Sequence, residues 1–283
     1  MEYYNYLTVP SGKELNLHEL KNEDYLKLLK FLNGENFEGF YKCLDELLSY
    51  SIPDFDTLDI CDKAYVYIAF YFYSVKGEIS IKAEKFDAVD VPLTIILDTL
   101  ENAYIKDTKK LKILGSKICE VGYPTRLDIK IDTINVDYAS AIKSIENITL
   151  TPEQKEKFSK NAPLKVLNEI ELFISKNFKT EAYFAKDVIG IKNIKENVVG
   201  PAIFYSICYI YRESLEHFYN MLYLVCHYIR VQWEDLLKMT PVEMTILYHN
   251  FIEDKENQKE RTSKKKSGIP MHDPNVSDAL MGY

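Results

Sequence analysis

The sequence predicts an α+β fold that is mostly helical, and three observations carry this prediction. Apolar residues recur at helical spacing over long stretches in both halves of the 283-residue chain. A middle region alternates apolar and polar residues between prolines and glycines, which is typical of short antiparallel strands. Capping boxes at Thr151 and Thr240, each followed directly by proline, mark the starts of two helices in the second half.

Composition limits the class of protein. Apolar residues make up 47% of the chain and charged residues 28%, so an ordinary globular core is expected. The net charge of −8 argues against nucleic acid as a partner, because nucleic-acid binding usually needs a basic surface. The chain has 22 tyrosines and 14 phenylalanines but one tryptophan. Tyrosine is frequent at interfaces as well as in cores, so this count favours a binding protein only weakly.

The start of the chain and its cysteines indicate the compartment. Residues 1–8 lack the charged and apolar regions of a signal peptide. The longest nearly apolar run, Val198 to Tyr211, is shorter than the roughly 18 to 20 residues that a membrane span needs. The cysteines are scattered without a C-x-x-C pair, which indicates reduced thiols. We therefore expect a soluble protein made in a cytosol, with no membrane span.

Residues 1–77 are predicted to form a hairpin and three helices. Strands over Tyr4 to Val9 and Lys13 to Leu17 flank a Pro-Ser-Gly turn. The helices are expected over Asn22 to Asn33, Glu38 to Tyr50 and Asp59 to Tyr73, the last with Asp59 as its N-cap. The third helix is apolar on all sides, which predicts a central buried position.

Residues 78–145 are predicted to form a small β-rich insert. Glu78 to Ala83, Leu111 to Val121 and Leu127 to Val136 alternate in polarity, and Val91 to Leu97 is rich in β-branched residues. The segment from Leu93 to Tyr104 also fits a helix, and the sequence leaves this alternative open.

Residues 146–254 are predicted to form a helical unit. Leu164 to Phe178 is amphipathic, and an apolar stripe from Phe204 to Ile229 alternates spacings of four and three residues, as in a heptad seam. Such a stripe must be buried against other helices, for which Leu164 to Phe178 and Met244 to Phe251 are the candidates. Four tyrosines beside the stripe are expected to stay partly free for partners: Tyr205, Tyr209, Tyr219 and Tyr223.

Residues 255–283 are predicted to form a polar, partly basic tail. The run Lys264 to Lys266 could be a phosphate-contacting arm or a solvated linker, and the acidic body disfavours the arm. Apolar residues near the end fit docking on a partner, while a frayed terminus explains them equally well. The candidate partner-binding residues are Ile269, Pro270, Met271, Leu280, Met281 and Tyr283.

No residue pattern indicates catalysis, a cofactor or a metal ion. The chain has no glycine-rich nucleotide loop and no G-x-S-x-G elbow. Its histidines do not fall in H-E-x-x-H or beside a spaced cysteine pair. Asp54, Asp56, Asp59 and Asp62 lead straight into an apolar helix, so helix capping explains them better than a calcium loop. We predict no catalytic, cofactor-binding or metal-binding residues.

A set of turn and packing signals runs through the N-terminal region. It comprises Val9-Pro-Ser-Gly-Lys-Glu-Leu15, Leu20-x-x-Glu23-x-Tyr25-Leu26, Leu44-Asp45-x-Leu47-Leu48 and Leu58-Asp59-x-x-Asp62-x-x-Tyr65, with Tyr73-Ser74-x-x-Gly77-Glu78 at the end of the apolar helix. Together these signals resemble the baseplate hub assembly proteins of T4-type contractile-tailed bacteriophages. The C-terminal third, with Trp233-x-x-Leu236-x-x-Met239-Thr240, is similar to short helical phage proteins that act as hub-assembly or tape-measure chaperones.

The resemblance implies a non-enzymatic assembly or structural role in a phage baseplate hub. The implied partners are other hub subunits, with the tape-measure protein as a further candidate and several copies per assembly as one arrangement. The implied location is the host cytoplasm during assembly, with retention in the virion tail as a further expectation. Two other hypotheses stay open. One is a generic cytosolic adaptor, and the other is an unrecognised enzyme, whose sign would be a pocket with several perturbed titratable groups.

Overall fold

The structure, a computed structural model, describes residues 4–81, 89–113, 117–178, 181–185, 194–197 and 200–266. The fold is α+β and predominantly helical, as the sequence predicts, with small antiparallel sheets between the helices. The candidate partner-binding residues Ile269, Pro270, Met271, Leu280, Met281 and Tyr283 lie outside the described residues.

The N-terminal elements agree with the predicted hairpin and three helices. Strands β1 (Tyr4–Thr8) and β2 (Glu14–His18) pair antiparallel, and Gly12 in their turn has a φ of +89°, which glycine adopts readily. They are followed by α1 (Asn22–Asn33), α2 (Phe37–Ser51) and α3 (Ile60–Ser74). A one-turn 3₁₀ helix, Phe55–Thr57, joins α2 to α3.

Helix α3 is the centre of the core. Each residue from Ile60 to Tyr71 is buried, including Asp62 and Lys63, so this helix has no solvent face over three turns. Asp59 caps it, since its Oδ1 accepts hydrogen bonds of 3.0 Å from the backbone N–H groups of Cys61 and Asp62. The predicted buried helix and its N-cap are both confirmed.

The middle region is β-rich, but it also contains one helix. Val91 to Leu97 was expected to be extended, and it divides instead between strand β4 (Val89–Pro92) and helix α4 (Leu93–Ala103). The helical alternative is therefore the correct one, because Leu93, Ile96, Leu97 and Leu100 form a single buried face at helical spacing. Strand β4 pairs with β3 (Glu78–Ile81).

Each of two stretches that alternate in polarity contains residues of two paired antiparallel strands. Leu111 to Val121 divides between β5 (Lys109–Ile113) and β6 (Lys117–Val121), and Leu127 to Val136 divides between β7 (Leu127–Ile129) and β8 (Ile134–Val136). Strands β9 (Ile142–Ile145) and β10 (Ile148–Thr149) complete a sheet of order β10-β9-β6-β5.

The second half begins with α5 (Pro152–Asn161), α6 (Leu164–Asn177) and a hairpin of β11 (Glu181–Ala185) with β12 (Ile194–Asn197). Both predicted capping boxes are present. Thr151 Oγ1 accepts from the N–H of Gln154 at 3.3 Å, and the Gln154 side chain accepts from the N–H of Thr151 at 2.9 Å. Thr240 and Glu243 make the equivalent pair at 3.2 Å and 2.8 Å.

The apolar stripe from Phe204 to Ile229 is largely buried, but it does not belong to one continuous helix. Helix α7 (Ala202–Tyr211) ends before Arg212, α8 (Leu215–Leu224) restarts after Ser214, and a π-helical turn covers Val225–Ile229. The stripe packs on α1, α3 and the later helix α10, whereas α6 packs on β5 and the 3₁₀ turn Tyr138–Ala141. Of the two candidate partners, Met244 to Phe251 in α10 is therefore confirmed, and Leu164 to Phe178 was the wrong one.

The last described helices are α9 (Trp233–Lys238) and α10 (Pro241–Lys266). Helix α10 continues twelve residues into the region predicted to be a tail, as far as Lys266. Its sequence there is rich in Lys, Glu, Gln and Arg, which are strong helix formers, and has no glycine or proline before Gly268. Among the described residues, no helix is long and apolar enough to cross a membrane.

Candidate interaction surface

Three tyrosine hydroxyls fix α7 against the N-terminal helices. Tyr41 donates a hydrogen bond of 2.6 Å to the carbonyl oxygen of Phe204, and Tyr211 donates one of 2.7 Å to that of Tyr67. Tyr25 donates to the carbonyl oxygen of Tyr211 at 3.2 Å. All three hydroxyls are buried with their rings. Water therefore does not compete for these hydrogen bonds, which strengthens them. Helix α7 is held rigidly, and so is its outer face.

The break between α7 and α8 shapes that outer face. Arg212 leaves the helix with an extended backbone, and Ser214 caps α8 by accepting a 3.2 Å hydrogen bond from the N–H of His217. The exposed Arg212 side chain approaches Glu35, with 3.8 Å between Nη2 and Oε1. The chain therefore changes direction at a charged corner in the middle of an otherwise apolar stripe.

Two cavities meet at this corner and share Tyr209 and Arg212. We call the combined depression the Tyr209 groove. Its larger part, the α10 half, has a volume of about 560 Å³, and its smaller part, the Phe37 half, about 390 Å³. The α10 half is lined by residues that include Lys76, Ile210, Glu213, His217, Met221, Tyr248 and His249. The Phe37 half is lined by Leu32, Glu35, Phe37, Asp132, Tyr205 and Cys208 together with the shared pair.

The Phe37 half is held in place by contacts from three elements. The rings of Phe37 and Tyr205 meet edge to face with 5.4 Å between centroids. The Tyr205 hydroxyl accepts a 2.9 Å hydrogen bond from the N–H of Ile134, and the N–H of Phe37 donates to the carbonyl oxygen of Ile131 at 2.9 Å. These bonds tie α2, α7 and the β7–β8 hairpin together, so this wall is preformed.

The α10 half combines an apolar floor with a basic rim. Met221 and Ile210 are buried in the floor, while Lys76 and Arg212 are exposed at the rim. Among the described residues that line this half, the one carboxylate is that of Glu213, which is half-buried and accepts a 3.4 Å hydrogen bond from the Tyr25 hydroxyl. Burial is the main influence and raises the pKa of Glu213, while His217 and Lys76 act in the opposite direction. This half therefore presents more positive than negative charge, unlike the chain as a whole.

The four tyrosines expected beside the stripe are all at least partly exposed, as predicted. Tyr209 is 58% exposed and Tyr205 39%, and both line the groove. Tyr223 is 59% exposed but lies apart from it, where its ring stacks on His227 at 5.5 Å. Tyr219 is half-buried. The structure thus brings two of the four to one surface and separates the others.

Of the four acidic residues around the start of α3, Asp59 and Asp62 make structural hydrogen bonds, while Asp54 and Asp56 are exposed. Asp59 is the N-cap, and its Oδ2 also accepts a 2.8 Å hydrogen bond from the Tyr104 hydroxyl. Asp62 accepts from the N–H of Ser11 in the β1–β2 turn at 3.0 Å, and burial, with a smaller effect of Asp59, raises its pKa to about 6. Within the part of the chain that the structure describes, no three His, Cys, Asp or Glu side chains could hold a metal ion together, and the cysteines are free thiols.

Sequence reasoning missed most of the groove. Phe37 and Lys76 are far from Tyr209 in sequence and carry no local mark of a surface role. The break at Arg212 did leave a signal, because Arg212-Glu213-Ser214 places a preferred N-cap residue directly before a new apolar run. This triplet predicts two helices in place of one, with a break at Arg212.

Comparison with known proteins identifies a family. A family model described as T4 bacteriophage base plate protein matches residues 1–192. No curated protein and no solved structure matches the chain significantly. The matched region supplies Phe37 and Lys76 to the groove, whereas Tyr209 and Arg212 lie beyond it. The groove is therefore formed jointly by the matched region and the C-terminal helices.

Proposed function

Since the family-model match to residues 1–192 covers more than half of the 283-residue chain, the chain belongs to the T4 bacteriophage base plate protein family, and we propose that it is a non-enzymatic structural or assembly subunit of the baseplate hub. It acts by binding other baseplate proteins, and the Tyr209 groove is one of its contact surfaces. The groove supports this proposal because it exposes tyrosine and arginine over an apolar floor, and these residue types are enriched at protein interfaces.

The arrangement of the groove fits a binding role better than a catalytic one. The groove residues with shifted pKa values are Glu213, Tyr71 and Cys208, and burial is the main cause of each rise. The raised pKa keeps the Cys208 thiol protonated, and Glu213 accepts its hydrogen bond from the buried Tyr25 hydroxyl rather than from a candidate nucleophile. An active site would need an acid or base paired with such a group. The preformed Phe37 wall reduces the ordering cost of binding, because the Tyr205 ring is already fixed.

The C-terminal segment supplies a second proposed contact. Its apolar residues, Ile269, Pro270, Met271, Leu280, Met281 and Tyr283, bind a partner subunit. We include the tape-measure protein among the candidate partners, propose that several copies enter each assembly, and propose that binding begins in the host cytoplasm and ends in the virion tail.

A complementation assay tests the groove. A phage whose copy of this gene is inactivated is supplied with the wild-type chain, Tyr209→Ala, or the matched control Tyr223→Ala, since the two tyrosines are almost equally exposed. Loss of an aromatic anchor at an interface costs about 2 kcal/mol, or roughly a thirtyfold weaker Kd. We expect Tyr209→Ala to lower the yield of infectious particles and of assembled baseplates, while Tyr223→Ala supports normal yields.

Mass spectrometry of purified particles and of assembly intermediates shows at which stage the chain is bound. Normal assembly with Tyr209→Ala, at equal protein level, would remove the groove from the proposal. Absence of the chain from both intermediates and particles would contradict the baseplate role itself.

A further inference from the structure

We infer that the Tyr209 groove receives residues 267–283 from a second copy of this chain. The inference rests on the proposed function, because it names one partner for the same groove. It is argued from the chemistry of the two surfaces and from the place where α10 ends.

The chemistry of the segment matches the α10 half of the groove. Residues 267–283 read SGIPMHDPNVSDALMGY, with one apolar cluster at 269–271 and another at 279–281. Two acidic residues, Asp273 and Asp278, lie between the clusters, and the segment has no lysine or arginine. The α10 half offers apolar Met221 in its floor and basic Lys76 and Arg212 at its rim. Acidic residues beside apolar anchors are what such a surface recognises.

The Phe37 half of the groove favours an apolar cluster of the segment over its aspartates. It carries Glu35 and Asp132, which would repel the aspartates of the segment. The aspartates therefore belong in the α10 half, and an apolar cluster belongs against Phe37 and Tyr205. In this arrangement the aspartates lie on the α10 side of Tyr209, and one of the two apolar clusters lies on the Phe37 side.

The position of α10 favours binding of the segment to the groove of a second copy rather than to the groove of its own molecule. Residues 253–259 are exposed along this helix, and the segment starts after Lys266. Seventeen residues separate His249, at the groove, from Lys266, which is about 26 Å along a helix axis. An extended chain needs about eight residues to cover that distance back. Residues 267–274 would then have to span the distance from Lys266 back to the groove, and the 269–271 cluster could not enter it.

Binding to a second copy needs no return path, so both apolar clusters can enter one groove. Each copy then offers a groove to one neighbour and a segment to the other. Such a contact is heterologous, and it closes into a ring or continues as a chain, according to the rotation between copies.

Sedimentation equilibrium tests this with the full chain and two variants. The segment variant carries Leu280→Asp and Met281→Asp, and the groove variant carries Tyr209→Ala and Arg212→Glu. The matched controls are Tyr223→Ala and a double variant, Leu164→Asp with Leu172→Asp, at two exposed leucines of α6 that do not line the groove. We expect the wild type and both controls to associate with a micromolar Kd, and each variant by itself to associate at least tenfold more weakly. Circular dichroism and the Tm check that each variant is folded.

Mixing the two variants gives the decisive result. The segment variant still has an intact groove, and the groove variant still has an intact segment, so the mixture should form a one-to-one complex that neither forms separately. A monomeric wild type at about 200 μM, well above a micromolar Kd, would overturn the inference. Association that both variants retain would overturn it as well. If the inference fails while Tyr209→Ala still lowers particle yield, the proposed function stands with a different partner.

Discussion

The hydroxyl of Tyr41 lies 2.6 Å from the carbonyl oxygen of Phe204, although 163 positions separate the two residues. Both side chains are buried, and their rings meet edge to face with 6.1 Å between centroids. This pair joins α2, inside the region matched by the baseplate family model, to α7 beyond it. The hydrogen bond is therefore part of what makes the two regions one folded body, and it fixes the helix that carries Tyr209.

Tyr41→Phe tests that connection. The substitution keeps the ring but leaves the buried carbonyl oxygen without its tyrosine donor, which costs about 1–2 kcal/mol. We expect a lower midpoint of urea unfolding with an unchanged m-value. Tyr50→Phe is the control, because the Tyr50 side chain is 72% exposed and should change the midpoint little. Equal midpoints for wild type and Tyr41→Phe would show that the hydrogen bond is not needed.

Asp45 should make stability depend on pH. Burial raises the pKa of this carboxyl to about 6, and the Tyr67 hydroxyl, which donates to it at 2.5 Å, offsets part of the rise. Because the folded pKa is above the unfolded value, the folded chain binds more protons between about pH 4 and 6. This contribution to stability is complete below the unfolded pKa and is lost as the pH rises through 6.

Asp45→Asn should remove that contribution. The free energy of unfolding of the wild type should fall by up to about 1.4 kcal/mol per pH unit across this window from Asp45 alone. Denaturant titrations from pH 4 to 7 should show a shallower slope for Asp45→Asn than for the wild type. Asp54→Asn, at an exposed position, should keep the wild-type slope. A slope that does not change in Asp45→Asn would refute this account.

Asp59→Ala tests the cap of the central helix. The variant loses both backbone hydrogen bonds at the start of α3 and the one from the Tyr104 hydroxyl. Loss of an N-cap costs about 0.5–2 kcal/mol, and the Tyr104 hydroxyl adds to this if it finds no other acceptor. We expect a Tm several degrees lower in calorimetry. Asp56→Ala, three residues earlier and exposed, is the matched control, and an equal loss in both would contradict a specific cap.

Asn22 connects the first helix to the C-terminal helices. Its side-chain nitrogen donates to the carbonyl oxygen of Leu236 at 2.8 Å, and its backbone N–H donates to that of Met239 at 2.8 Å. Asn22→Ala leaves the first carbonyl without this donor, so we expect a loss of about 1–3 kcal/mol. Asn161→Ala removes only an exposed bond within α5 and should be nearly neutral. Hydrogen exchange should show faster exchange around α9 in Asn22→Ala alone.

The candidate site was predictable only in part. The sequence indicated that Tyr205 and Tyr209 would be exposed beside a buried stripe, because their positions on a helix follow from spacing. It did not indicate that Phe37 and Lys76 would lie beside them, since contacts between distant segments depend on how helices pack. It named Leu164 to Phe178 and Met244 to Phe251 as candidate partners of the stripe, and only packing decided that the second is the one that covers it.

The sequence by itself determined the turns, the helix caps and the burial of the central helix. The β1–β2 turn, the N-cap at Asp59, both capping boxes and the burial of α3 depend on neighbouring residues, and they can be derived from spacing and side-chain type. The tertiary structure decided the segments in which the local sequence fits two structures equally well. It decided that Leu93 begins a helix, because a helix buries Leu93, Ile96, Leu97 and Leu100 on one face. It also decided that the stripe is interrupted at Arg212, where a charged side chain reaches solvent between two helices that each bury one face.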